Sequence, residues 1–159
     1  MSQADLPGDI RDAIGRVHYR QQSDFSVESG YVQTLCAAVQ NGNPLYWDGA
    51  TADDVTGGPT APLSMLSVWL RPHFWAPGRS ASVKPLQLHF DLKERLGYPT
   101  AIVTGNELVF HEPVRLGDRL SAGQVLKSVS GLKQTKLGVG RFWVIEMQYR
   151  NQREELVGT

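Results

Sequence analysis

At 159 residues the chain is long enough to bury one core without metal or disulfide staples, and 41% apolar with 20% charged residues is a globular composition, not a disordered one. Sixteen Lys and Arg balance sixteen Asp and Glu, and a net charge of zero speaks against a nucleic-acid binder, which carries a basic excess. The single cysteine, Cys36, rules out an internal disulfide, and no apolar run approaches a membrane span or a signal-peptide core, so a cytoplasmic protein without membrane attachment is expected.

Residues 1–16 alternate polar and apolar side chains and carry Asp5, Asp9 and Asp12. From Ser26, a candidate N-cap, Val27, Tyr31, Leu35, Ala38 and Val39 recur at three- and four-residue steps. That spacing predicts an amphipathic helix ending near Gln40, where the turn formers Asn41-Gly42-Asn43-Pro44 begin. A short helical turn is expected over 52–55, ahead of the break at Gly57-Gly58-Pro59. A second helix is predicted over 61–70, with Thr60 as cap and Pro62 in its first turn. Its apolar residues Leu63, Met65, Leu66, Val68, Trp69 and Leu70 cover nearly all sides, the pattern of a buried helix. Pro72 and Pro77 stop it from continuing.

A short helix over 91–96 comes next, and then the character switches to strands. These are expected over 101–110, over 120–129 after a tight turn at Leu116-Gly117-Asp118-Arg119, and over 141–150, with bulky residues on both faces. Residues 131–140 read as loop or strand broken by glycines, and Leu156-Val157 opens a last strand. Helices followed by a meander of antiparallel strands make an α+β fold, not the alternation of a parallel sheet. No repeat or linker divides the chain, so a single domain over 1–159 is expected.

Four stretches occur in order: Asn41-Gly42-Asn43-Pro44-Leu45-Tyr46-Trp47-Asp48, Gly57-Gly58-Pro59-Thr60-Ala61-Pro62, Gly105-Asn106-Glu107-Leu108-Val109-Phe110 and Pro113-Val114-Arg115-Leu116-Gly117-Asp118-Arg119-Leu120. Each alone is mostly turn chemistry. Together the chain resembles the MaoC-like (R)-specific enoyl-CoA hydratase family, and the last two, with Asn151-Gln152, are most similar to the N-terminal halves or small first subunits of two-part hydratases. The resemblance implies one MaoC-like hot-dog domain over 1–159, an antiparallel sheet wrapped around a buried central helix. It also implies a site of the form Asp-x-Asn-Pro-Leu-His, whose Asp and His orient the water that adds to an enoyl-CoA. Here Asn41 stands at the Asp position and Tyr46 at the His position, while Asn43, Pro44 and Leu45 keep the pattern. An amide has no basic lone pair near neutral pH, and a tyrosine with a pKa near 10 is about one part in a thousand ionised at pH 7. No catalytic residue is therefore expected in this chain.

What the resemblance then implies is the non-catalytic subunit of a heteromeric enoyl-CoA hydratase, a lyase. A small catalytic MaoC-like partner would supply the Asp and His in a hetero-oligomer, with an acyl-CoA thioester as substrate and neither cofactor nor metal. Met65, Trp69, Phe74 and Trp75 read either as plain core or as the lining of a wide pocket for a bulky acyl chain, by analogy a steroid side-chain CoA ester. Gly57-Gly58 reads either as a simple break or as a source of free N–H groups for an oxyanion. Cys36 reads as a small core residue, not a nucleophile. His18, His73, His89 and His111 are scattered singly, without metal-ligand spacing. The alternatives are a hot-dog acyl-CoA thioesterase, which needs an acid near the helix start, and an acyl-CoA-binding or scaffold protein without catalysis.

Overall fold

The computed structural model describes residues 6–71, 73, 75–78 and 85–159. The elements run α1 (Gly8–Ala13), β1 (Val17–Gln22), α2 (Ser29–Ala38), a 3₁₀ turn (Pro44–Tyr46), α3 (Gly49–Thr56), two further 3₁₀ turns (Leu63–Met65 and Val68–Leu70) and α4 (Gln87–Arg95). Five strands follow: β2 (Ser121–Val129), β3 (Lys133–Thr135), β4 (Gly138–Gly140), β5 (Trp143–Arg150) and β6 (Leu156–Gly158). Four strands share one sheet in the order β1-β2-β5-β6, and β3 and β4 form a separate antiparallel hairpin. β6 pairs antiparallel with β5, with a register shift between Tyr149 and Arg150.

The chain divides into two units. One comprises Met1–Arg20, Val83–Glu107 and Gly123–Gln148; the other comprises Gln21–Ser82, Leu108–Ala122 and Tyr149–Thr159. The first has its core where Leu6 and Ile10, Leu88 and Leu92 of α4, and Leu126 and Val129 of β2 meet. Leu88 and Leu92 stand one helical turn apart, so α4 presents one apolar stripe to that core. Its first turn has no side-chain cap of its own. The buried Gln124 of β2 takes that place: its side-chain oxygen accepts from the Leu88 N–H at 2.9 Å.

In the second unit, α2 lies close to the expected span, with a different face inward. Val32 and Cys36 are buried while Tyr31 and Val39 are exposed, and Glu28, not Ser26, sits at the N-cap. Two buried residues one turn apart suffice for a ten-residue helix, so the apolar spacing of Tyr31, Leu35 and Val39 did not choose the face. Residues 61–70 correct a second expectation. They form two 3₁₀ turns in place of one α-helix, with Ala61, Met65, Leu66, Trp69 and Leu70 buried and Leu63 on the surface. Backbone pairing holds the entry of this segment extended, through Ala61 N–H to Val114 O at 2.8 Å and the bridge between Thr60 and Arg115. Pro62, with no N–H to donate, follows at once.

The strand expected over 101–110 is not formed over most of its length. Only its end pairs: Val109 and Thr159 exchange backbone hydrogen bonds at 2.9 and 2.8 Å, and Phe110 bridges Gly158. β2, β5 and β6 lie where the residue pattern puts them.

Candidate functional site

The turn after α2 builds itself from its own polar side chains. Gln40 takes a left-handed backbone (φ 54°), and the Asn41 N–H returns to Cys36 O at 2.8 Å, which ends the helix. Asn41 Oδ1 then accepts from the Asn43 N–H at 3.0 Å, and Asn43 Oδ1 accepts from the Leu45 N–H at 3.1 Å. Two successive Asx turns thus fold 41–45, a use of Asn that competes with regular structure. The Trp47 indole N–H closes the loop onto Asn41 O at 2.8 Å. Asp48 caps α3 by accepting from Ala50 N–H, Thr51 N–H and the Thr51 hydroxyl, which hold its carboxyl below the usual range, the hydroxyl most strongly.

Asn41 and Tyr46 therefore stand on one turn, as their spacing requires. The Asn41 side-chain oxygen is committed to the backbone. The Tyr46 phenol is half-buried, and burial first, then the neighbouring Cys36, pushes its pKa above 10.0. It stays a neutral hydroxyl through any physiological pH. Cys36 is a free, buried thiol whose pKa burial likewise raises, which suits a packing residue.

Of the four residues considered for an acyl pocket, Met65 and Trp69 are 2% and 1% exposed and belong to the core of the second unit. Trp75, at 78% exposed, is not brought to them, and Phe74 lies outside the described residues. The Trp69 ring meets Phe25 and Tyr31 edge-on, each at 6.2 Å between centroids, while Phe25 and Tyr31 stack on each other at 5.4 Å. His73 joins the group, 5.5 Å from the Phe25 ring and 3.4 Å from the Asp24 carboxylate. Phe25, Tyr31 and His73 share no sequence period with Trp69, so no pattern in the chain announces this cluster. Among the described residues no group of three His, Cys, Asp or Glu side chains is placed to hold a metal ion.

The glycine pair at the end of α3 has no N–H group to spare. Gly57, at φ 66°, donates to Asp53 O at 3.1 Å, and Gly58 donates to Ala52 O at 3.2 Å, a glycine cap of the Schellman kind. The reading in which free N–H groups here hold an oxyanion fails for that reason.

The profile of a family described as "FAS1-like, dehydratase domain region" matches residues 12–159. The chain belongs to this MaoC-like dehydratase family. Within it, the chain is 34% identical over 130 residues to the "Probable enoyl-CoA hydratase alpha subunit" of Thermomonospora curvata, covering 77% of this chain and 39% of that protein. It is 33% identical over 141 residues to the "3-oxo-4,17-pregnadiene-20-carboxyl-CoA hydratase alpha subunit" of Mycobacterium tuberculosis, covering 84% of this chain and 44% of that one. The chain thus spans less than half the length of these curated relatives. The crystal structure of the ChsH1-ChsH2 complex from Mycobacterium tuberculosis superimposes with a TM-score of 0.73 at 26% identity, over 94% of this chain and 86% of that chain. The α+β hot-dog fold of the dehydratase family accounts for the helices followed by strands. No helix among the described residues is long and apolar enough to cross a membrane.

Proposed function

We propose that this chain is the non-catalytic subunit, or half, of a heteromeric enoyl-CoA hydratase, and that a MaoC-like partner supplies the Asp and His that add water to a 2-enoyl-CoA. The observation that carries this reading is the 41–46 turn. Asn41 and Asn43 hydrogen bonds shape this turn, while the two positions that the resemblance assigns to proton transfer hold groups that do not titrate near neutral pH. The names of the two curated relatives, both alpha subunits of hydratases, support a two-chain assembly. The mycobacterial relative's name also supports a bulky, ring-bearing acyl chain as the substrate class.

The test is co-expression with a small MaoC-like catalytic chain, isolation of the complex and initial hydration rates for a ring-bearing and a short linear enoyl-CoA. Asn41→Ala and Tyr46→Phe should leave turnover within a few-fold. Removing the partner's Asp or His should lower it by roughly 10²–10⁴-fold per group. Loss of both reactions on Tyr46→Phe alone would make this chain catalytic and end the proposal. A complex that binds CoA esters without hydrating any of them would favour an acyl-CoA-binding scaffold.

A further inference from the structure

Two buried side-chain donors among the described residues have no hydrogen-bond partner, Trp69 Nε1 and Arg115 Nη1. The second belongs to a cation. The Arg115 guanidinium donates through Nη2 to Thr56 O at 2.8 Å. It takes part in none of the ion pairs among the described residues. The acids around it are already engaged. Asp118 accepts from the backbone N–H of Arg115 at 2.8 Å and from Gln152 Nε2 at 2.9 Å. Glu155 accepts from Asn151 Nδ2 at 2.7 Å and from Arg153 Nε at 2.8 Å.

Over Nη1 lies the glycine pair. A Cβ built on Gly58 would stand 3.3 Å from Nη1, and φ of 136° at Gly58 with 66° at Gly57 keeps larger residues out of both positions. The two N–H groups of this bend are spent on α3, and the Thr56 hydroxyl is bound to Ala52 O and Gly58 O. Nη1 is thus a charged donor left unspent beside a bend covered only by glycine backbone. A buried charged donor without an acceptor is costly, and supplying one removes that cost.

We propose that Arg115 Nη1 is held for an oxyanion brought from outside the chain, a carboxylate or phosphate oxygen that reaches it beside Gly58. This goes beyond the hydratase reading and does not depend on it. Neither residue of the bend sets a side chain over the guanidinium, so only backbone stands between Nη1 and an incoming oxygen on that side. Arginine suits this position because its charge does not titrate and its planar fork places one N–H on Thr56 O while the other faces the acceptor.

The experiment follows the ¹⁵N-labelled guanidinium signals of the full chain at low ionic strength. Acetate, inorganic phosphate and coenzyme A are titrated in separate arms, and a catalytic partner chain is added in a fourth. A saturable shift of the Arg115 Nη signals with phosphate or coenzyme A identifies a ligand phosphate. A shift with acetate, or only on assembly, identifies a carboxylate of the partner. Arg115→Lys keeps the charge but cannot place a donor beneath Gly58, and should weaken the same binding by roughly tenfold or more. If no arm moves the Arg115 signals, or if Arg115→Lys binds as tightly as the parent, the proposal is overturned. Hydration activity is measured apart, so its loss or presence bears on the hydratase reading alone.

Discussion

Replacing Trp69 by alanine removes the largest fully buried side chain among the described residues, and the consequence separates a core role from a pocket role. A buried Trp→Ala change costs about 3–5 kcal/mol through lost transfer energy and the cavity left behind. The edge-on contacts with Phe25 and Tyr31 go with the ring and place the change toward the upper end of that range. For a chain of this size that is a fall in melting temperature of about 6–20 °C. Trp69→Phe isolates the polar end of the ring. It keeps most of the apolar bulk and deletes the indole N–H that has no partner, relief worth about 1–3 kcal/mol against the volume lost. Trp69→Phe should therefore lie within about 1.5 kcal/mol of the parent, far from the alanine variant. Denaturant melts of the three proteins read both differences directly. An alanine variant that costs under about 1 kcal/mol while changing acyl-chain preference would mean that Trp69 faces a ligand space and that its burial was misread.

Asn41→Ala should cost about 1 kcal/mol by breaking the Asx bond to the Asn43 N–H, whereas Asn41→Asp, which retains the accepting oxygen, should stay within about 0.5 kcal/mol of the parent; paired denaturant melts decide this. Asp48 has its carboxyl pKa lowered on folding, so its contribution is full above the ordinary 3.8 and is lost as pH falls through the lowered value. The stability gap between parent and Asp48→Ala should close toward strong acid, and a gap that widens there would refute the capping role. Gly158→Ala should destabilise by about 1–3 kcal/mol, because the new Cβ would lie 2.5 Å from Leu66 Cδ2 and 3.1 Å from Val109 O. Trimming Leu66 should restore only part of that loss, since the backbone oxygen stays in place.

The strands that sequence located well are those that carry dense runs of apolar residues, whether or not each of them is buried. β2, with Ala122, Val125, Leu126 and Val129 inside, lies where expected, and so does β5. β1 was invisible because His18, Tyr19, Arg20 and Gln21 carry no alternation of apolar residues, and Tyr19 even takes a left-handed backbone at φ 50°. Residues 61–70 were legible as buried and misread as α-helix. Apolar composition reports burial, while the pairing of Ala61 with Val114, which settles the backbone, joins residues distant in sequence. The 41–46 turn was readable as a turn because it is local, with both Asx bonds that shape 41–45 lying within that stretch. The tie between Arg115 and the Gly57-Gly58 bend was not. Its two ends sat in separate stretches, and only the fold shows them to be one assembly.

The oxygen that closes the first Asx turn is common to asparagine and aspartate, and their codons differ by a single base. An Asp-to-Asn exchange at position 41 is thus close to silent for folding, because the replaced group keeps its one structural role. Where a partner chain supplies the acid and the base, as proposed, the bend over 41–45 stands without an acid at position 41. Purifying selection would then act on the shape of the bend alone. Asn-x-Asn-Pro-Leu-Tyr would then be kept for its geometry.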